Sequence, residues 1–342
     1  MNRQSSDGDH STYKMVELQQ QEENKNIFWS KSRNSIILVT VAIFEAIVVI
    51  ALQAYIFATL KNLNVQAIND DVGIPIYLLI FIISQLFQVA LAWDAVRAQN
   101  TIQVIAFLLF NLCCFIYSVF QFKQMGSAIN DNVLSGLITK LLIVNTVVTG
   151  VCELIYLYLG ARLYQEFGWR IYKKIGADPE IRNMYRWYQI LISLFKLDVF
   201  FFLAFCLQYL VLVLKYNDYE FGLTIAALPV TCIFLSLVIY AVRHENKYLV
   251  YVFFVGLVAG CAYFSFKIGR MRDQTTNYYH NFDHVREFLT FFACVDLTLV
   301  LLSIVNTAIC LSNFGKGLKP HLLNEISYSK GANNEVRDLQ LE

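Results

Sequence analysis

The sequence predicts an all-α protein, a polytopic bundle of about eight transmembrane helices, with seven as the alternative count. Two observations carry this. Long apolar runs recur through the chain, each closed by a short polar break: 35–60, 74–93, 101–122, 136–160, 189–214, 222–242, 248–266 and 288–311. Charge is scarce, with 57% of residues hydrophobic and 15% charged, whereas a soluble domain carries about 25% charged residues. A helix rises about 1.5 Å per residue, so about 20 residues cross a hydrocarbon core of about 30 Å. Barrel strands would be shorter and would alternate polar with apolar positions, and these runs are continuously apolar.

The ends are different in kind. Residues 1–34 form a polar stretch with Gln19-Gln20-Gln21-Glu22-Glu23 and no apolar core near the start, so no cleavable signal is expected and the first run serves as the anchor. Residues 312–342 are polar as well. The expected organisation is a disordered N-terminal tail over 1–34, a helical bundle over 35–311 and a disordered C-terminal tail over 312–342.

Orientation is read from Lys and Arg in the short loops. With the N-terminus in the cytoplasm, that side holds Lys25, Lys31, Arg33, Arg97, Arg162, Arg170, Lys173, Lys174, Arg182, Arg186, Arg243, Lys247 and the tail cations Lys316, Lys319, Lys330 and Arg337. The opposite side holds fewer: Lys61, Lys123, Lys215, Lys267, Arg270, Arg272 and Arg286. Both termini are therefore expected in the cytoplasm. The loop 267–287 runs against the rule with its four cations. No Asn-x-Ser/Thr sequon occurs and the lumenal loops are short, which excludes a large ectodomain.

All eight cysteines lie inside the apolar runs and none in a loop. A disulfide framework places them in loops on the oxidising side, so these read as packing residues. The net charge is +1 and no loop forms a long basic stripe, so nucleic acid is not an expected partner. No P-loop, nucleophile elbow, zinc-protease helix or dinucleotide fingerprint occurs, and neither catalysis, a cofactor nor a metal site is expected. His280 and His284 flank Asp283 in a loop, a low-specificity spacing that reads as a solvated segment. Tyr13-Lys14-Met15-Val16 fits a tyrosine-based sorting pattern of equally low specificity.

The segment 162–189 is the most structured part outside the runs. The fourth run continues through Tyr164, Phe167, Ile171 and Ile175, with Lys173 and Lys174 in its last turn and Gly176 as a stop. Asp178-Pro179-Glu180 then starts a new helix, with Asp as N-cap and Pro at the first position. A cytoplasmic helical hairpin between the fourth and fifth runs follows. Arg162, Trp169, Arg170, Lys173, Lys174, Arg186 and Trp187 suit the headgroup zone. They form a candidate interfacial anchor, with anionic lipid headgroups or a cytosolic protein as its partner.

Glu45, Glu153, Lys196, Asp198 and Asp296 lie within the runs. An ionised side chain at a helix centre costs about 2.5–3.5 kcal/mol on the insertion scale. These residues should therefore face the bundle interior as a polar network. The first four fall at similar depth, about 10–15 Å below the cytoplasmic surface. Helices four and five are neighbours in sequence, so Lys196 is expected to pair with Glu153. Lys196 and Asp198 point about 200° apart, so Asp198 needs another partner: Gln53, Asn145 or Gln208. The network reads either as a lock that specifies helix packing or as a proton or cation relay.

The stretch Leu159-Gly160-Ala161-Arg162-Leu163-Tyr164-Gln165-Glu166-Phe167-Gly168-Trp169-Arg170-Ile171-Tyr172-Lys173-Lys174-Ile175-Gly176-Ala177-Asp178, with Met184–Gln189 and Lys196–Phe202, resembles a fungal family of uncharacterised multi-pass Golgi apparatus membrane proteins. The resemblance spans the membrane core. It implies a fungal origin and a Golgi or endomembrane address. It implies no reaction and transfers no site residue. The leading expectation is a non-enzymatic endomembrane scaffold or sensor. A proton- or cation-coupled transporter and a receptor-like bundle are the alternatives, the last disfavoured by the even helix count and by the lack of loop cysteines.

Overall fold

The computed structural model describes residues 33–62, 73–128, 132–175, 179–212, 244–272 and 286–316, and residues 225, 229–231, 233–234 and 237–242 of the remaining run. Seven helices are long and apolar enough to cross a membrane among these residues. They are α1 (Arg33–Asn62), α2 (Gly73–Ala98), α3 (Thr101–Ala128), α4 (Asn132–Ile175), α5 (Pro179–Leu212), α6 (Lys247–Arg272) and α7 (Arg286–Ser312). The sixth expected run, 222–242, lies partly outside the described residues. Those that are described are helical, and Val238, Ala241 and Val242 are buried. The two tails lie outside the described residues apart from their inner ends at 33–34 and 312–316.

Local chemistry sets the helix ends. Pro75 falls in the first turn of α2 and Pro179 opens α5, where a missing N–H costs no helical bond. Asn100 caps α3, its Oδ1 accepting from the Ile102 N–H at 3.0 Å. Asn246 caps α6, its Oδ1 accepting from the Tyr248 N–H at 3.2 Å. Gly315 adopts φ +82° after α7, a conformation that glycine enters freely, and its N–H donates to Glu245 Oε2 at 3.0 Å.

The helices fall into two groups. In the first, α1 packs on α2 and α4, α2 packs on α3, and α3 packs on α4. In the second, α7 packs on α5 and α6. The α3–α5 contact, with a lesser α2–α5 contact, joins the groups, while α4 and α5 barely touch despite being consecutive. Outward positions are apolar too, with Leu154 68% and Val255 69% exposed. An apolar exterior is what hydrocarbon solvates and water does not.

The seam between the groups is aromatic. The Phe87 and Phe200 rings stack at 4.8 Å, and Phe110 meets Phe200 edge-on at 4.8 Å. Tyr77 stacks on Phe288 at 4.1 Å, and Tyr117 meets Phe292 at 5.5 Å. Each such pair contributes about 0.5–1.5 kcal/mol beyond its buried area.

Two glycines let α3 and α4 approach closely. A Cβ on Gly150 would lie 2.9 Å from the Phe115 ring, and one on Gly160 would lie 2.8 Å from Leu108. Gly168 has open space around it. Gly160→Val should therefore lower stability in detergent by about 1–3 kcal/mol. Gly168→Ala should leave it unchanged or raise it by up to about 1 kcal/mol. Thermal unfolding of the three proteins measures both.

Candidate functional site: a polar core inside the bundle

Each of the first four helices turns polar residues inward at helical spacing. α1 carries Glu45 and Gln53, α2 carries Ser84, Gln85 and Gln88, and α3 carries Asn111, Ser118 and Gln121. α4 carries Asn145, Thr149, Glu153 and Tyr156. All are buried. Spacings of three, four, seven or eight keep such residues on one helix face.

The side chains meet in layers. Glu45, 0% exposed, accepts through Oε2 from Gln88 Nε2 at 2.7 Å and from the Tyr156 hydroxyl at 2.6 Å. This junction ties α1, α2 and α4 together. Glu153 Oε2 accepts from Asn111 Nδ2 at 2.8 Å, tying α3 to α4. Further along, Ser118 and Thr149 hydroxyls lie 3.4 Å apart. Gln53 and Gln121 then exchange amide bonds of 3.2 and 3.1 Å. Apolar side chains close both ends: Ile56, Leu60, Leu78, Ile138 and Leu142 beyond the glutamine pair, and Phe107, Leu163 and Phe167 beyond Tyr156.

The second group has its own buried acids. Asp198 Oδ2 accepts from the Ser303 hydroxyl at 2.9 Å, joining α5 to α7. Asp296 is 1% exposed and lies within electrostatic reach of Asp198. Lys267, also buried, donates to the Tyr209 hydroxyl at 2.7 Å. Asn306 donates to the Trp187 carbonyl at 3.2 Å.

Lys196 does not pair with Glu153. It forms an ion pair with Asp94 of α2, both side chains half-buried. The reason is packing: α4 turns its inner face to α1 and α3, and α5 turns to α7, α3 and α2, so chain order did not make α4 and α5 partners. Asp198 likewise finds Ser303 and not Gln53, Asn145 or Gln208. Asp94 lies just past Trp93, the end of the apolar run, while α2 continues to Ala98. The uncharged residues Gln88, Asn111, Gln121 and Tyr156 were legible as inward stripes in their spacing. A search for ionisable groups passes over them.

The anchor residues are only partly described. Arg162 and Arg186 are exposed, and Arg162 reaches the Tyr158 hydroxyl at 3.3 Å. Trp187 packs half-buried against the Met184, Tyr188 and Val242 cluster, so it belongs to the bundle as much as to the interface. Trp169, Arg170, Lys173 and Lys174 continue the α4 backbone, and their side chains lie outside the described residues. So do His280, Asp283, His284 and the segment Tyr13–Val16. Among the described residues no set of three His, Cys, Asp or Glu side chains comes together to hold a metal. Two small clefts lie against Met184 and Phe314, and against Phe110 and Phe201.

Seven long apolar helices with polar side chains turned inward define an integral multi-pass membrane protein. A UPF0658 Golgi apparatus membrane protein of Schizosaccharomyces pombe is 30% identical over 320 residues, covering 85% of this chain and 90% of that protein. The chain belongs to the UPF0658 family of Golgi apparatus membrane proteins. No family model and no solved structure matches it.

Four outcomes follow from the geometry. Tyr156→Phe removes a donor from a buried carboxylate and should cost about 1–3 kcal/mol. Leu154→Ala on the lipid face should stay within about 0.5 kcal/mol. Lys196→Met and Asp94→Asn should show a coupling energy of up to about 1 kcal/mol in a double-mutant cycle. Lys196→Met and Glu153→Gln should be additive. Chemical or thermal unfolding of the purified protein reads all of these.

Proposed function

We propose that the protein acts in the Golgi membrane as a non-enzymatic scaffold or sensor, with both termini in the cytoplasm. Its cytoplasmic working surface is the α4–α5 extension, which meets anionic lipid headgroups. The length of these two helices carries the reading. α4 has 44 residues and α5 has 34, or about 66 and 51 Å, against a hydrocarbon core of about 30 Å. The parts beyond the apolar runs hold Arg162, Arg170, Lys173, Lys174, Arg182 and Arg186. Basic groups close to a bilayer attract anionic headgroups by about 1 kcal/mol each. The interior supports a scaffold as well: Glu45, Glu153 and Gln53 bond helix to helix, and two clefts in the bundle have room for about one water each.

The test uses the full chain in nanodiscs. Brominated phosphatidylserine should quench its tryptophan emission more than brominated phosphatidylcholine does. Lys173→Gln with Lys174→Gln should reduce that preference. Equal quenching by the two lipids in the native chain contradicts the reading. A proton- or cation-coupled carrier is the second reading, favoured by the carboxylate oxygens of Glu45, Asp198 and Asp296 that lack a hydrogen-bond partner. It requires gradient-driven flux in proteoliposomes that Asp198→Asn abolishes.

A further inference from the structure

The α1–α4 core contains two acids that no cation balances. The runs 35–60, 74–93, 101–122 and 136–160 hold Glu45, Glu153 and one cation, Lys140, which is exposed near the start of α4, and Asp94 follows the second run. Asp94 is matched by Lys196. Glu45 and Glu153 are 0% and 7% exposed, and Tyr156, which donates to Glu45, stands one turn from Glu153 on the same face of α4. Their hydrogen-bond donors, Gln88, Tyr156 and Asn111, are all neutral groups.

The other titratable groups facing this core add no positive charge. α3 brings the thiols Cys113 and Cys114 and the phenol Tyr117, and α4 brings Cys152 and Tyr156. α2 brings Ser84, Gln85 and Gln88. α5, packed against α3 and α2, brings Lys196, held by Asp94, and Asp198, held by Ser303. Two ionised carboxylates in such a place repel each other and are poorly solvated. A single proton on the pair removes the repulsion, as in other sites where two carboxyls share one.

A second observation points to the same place. Glu45 Oε1, Gln88 Oε1, Asn111 Oδ1 and both side-chain polar atoms of Gln85 and of Asn145 are buried without a partner. Gln85 lies one turn from Gln88 on the same face of α2, and Asn145 two turns from Glu153 on the same face of α4. A proton fits this core because it needs no cavity. The polar stripe also continues through Thr149 and Asn145 towards Gln53 and Gln121. Phe107, Leu163 and Phe167 are buried beyond Tyr156. We propose that Glu45 and Glu153 form a proton-binding site that holds one exchangeable proton inside the α1–α4 core. This goes beyond both functional readings above and depends on neither.

Infrared spectroscopy of the full chain in nanodiscs at neutral pH tests it, with glutamate carrying ¹³C at the side-chain carboxyl. The remaining glutamates lie in tails, loops or helix segments outside the apolar runs. A protonated-carboxyl band that moves with the label therefore reports the buried pair. The expected result is the intensity of one carboxyl per chain, a downshift in D2O, and loss of the band in the Glu45→Gln/Glu153→Gln protein. No labelled acid band, the intensity of two carboxyls, or a band that D2O leaves in place overturns the proposal. So does a band that survives in the double variant. The first three readings come from the unaltered protein and stand even where the variant does not fold.

Discussion

Hydrocarbon offers no hydrogen bonds, and this governs the whole bundle. A polar side chain carried into the membrane must find its partner on another helix, or it loses the solvation it had in water. Glu45 shows the rule at work. One carboxylate oxygen takes donors from two other helices, so α1, α2 and α4 are tied at a single point. Asn111 with Glu153 and Gln53 with Gln121 repeat this between α3 and α4 and between α1 and α3. Apolar packing alone discriminates poorly among arrangements when lipid tails are as oily as leucine. The polar ties make one arrangement of α1–α4 better than its competitors.

The two helix groups use different means to hold together. Within α1–α4 the inward stripes are amides, hydroxyls and acids. Across the seam to α5 and α7 the contacts are mostly rings, with Phe87, Phe110, Phe200 and Phe201 interleaved. Polar contacts guard one end of that seam, where Lys196 meets Asp94 and the Asn100 amide donates to Gln189 Oε1 at 2.6 Å. Ring stacking tolerates small sliding better than short directed hydrogen bonds do. The seam is therefore the softer joint of the fold.

The apolar runs made the helical membrane bundle legible in the sequence, because length against bilayer thickness is a one-dimensional constraint. The end of the long α4 at Ile175 and the restart at Pro179 were legible because glycine and proline signals are local in sequence. The resemblance in 159–202 pointed to the family that the Schizosaccharomyces pombe relative then identified. Pairing was not legible. Which helix sits beside which depends on packing between distant segments, and sequence order suggested α4 beside α5. Lys196 reached Asp94 across 102 positions instead. The burial of the ionisable residues followed from their cost in lipid. Their partners were uncharged residues, which charge counting passes over.

The central claim is that the α1–α4 core is closed to bulk water and tied helix to helix by its own side chains. Cys114 and Cys152 border that core and are 5% and 6% exposed. Treating the folded, bilayer-embedded protein with a membrane-impermeant maleimide from both sides, then mapping adducts by mass spectrometry, tests this directly. The account predicts no adduct on either thiol until the protein is denatured. Modification of Cys114 or Cys152 in the folded protein would reveal an aqueous path to Glu45 and contradict it.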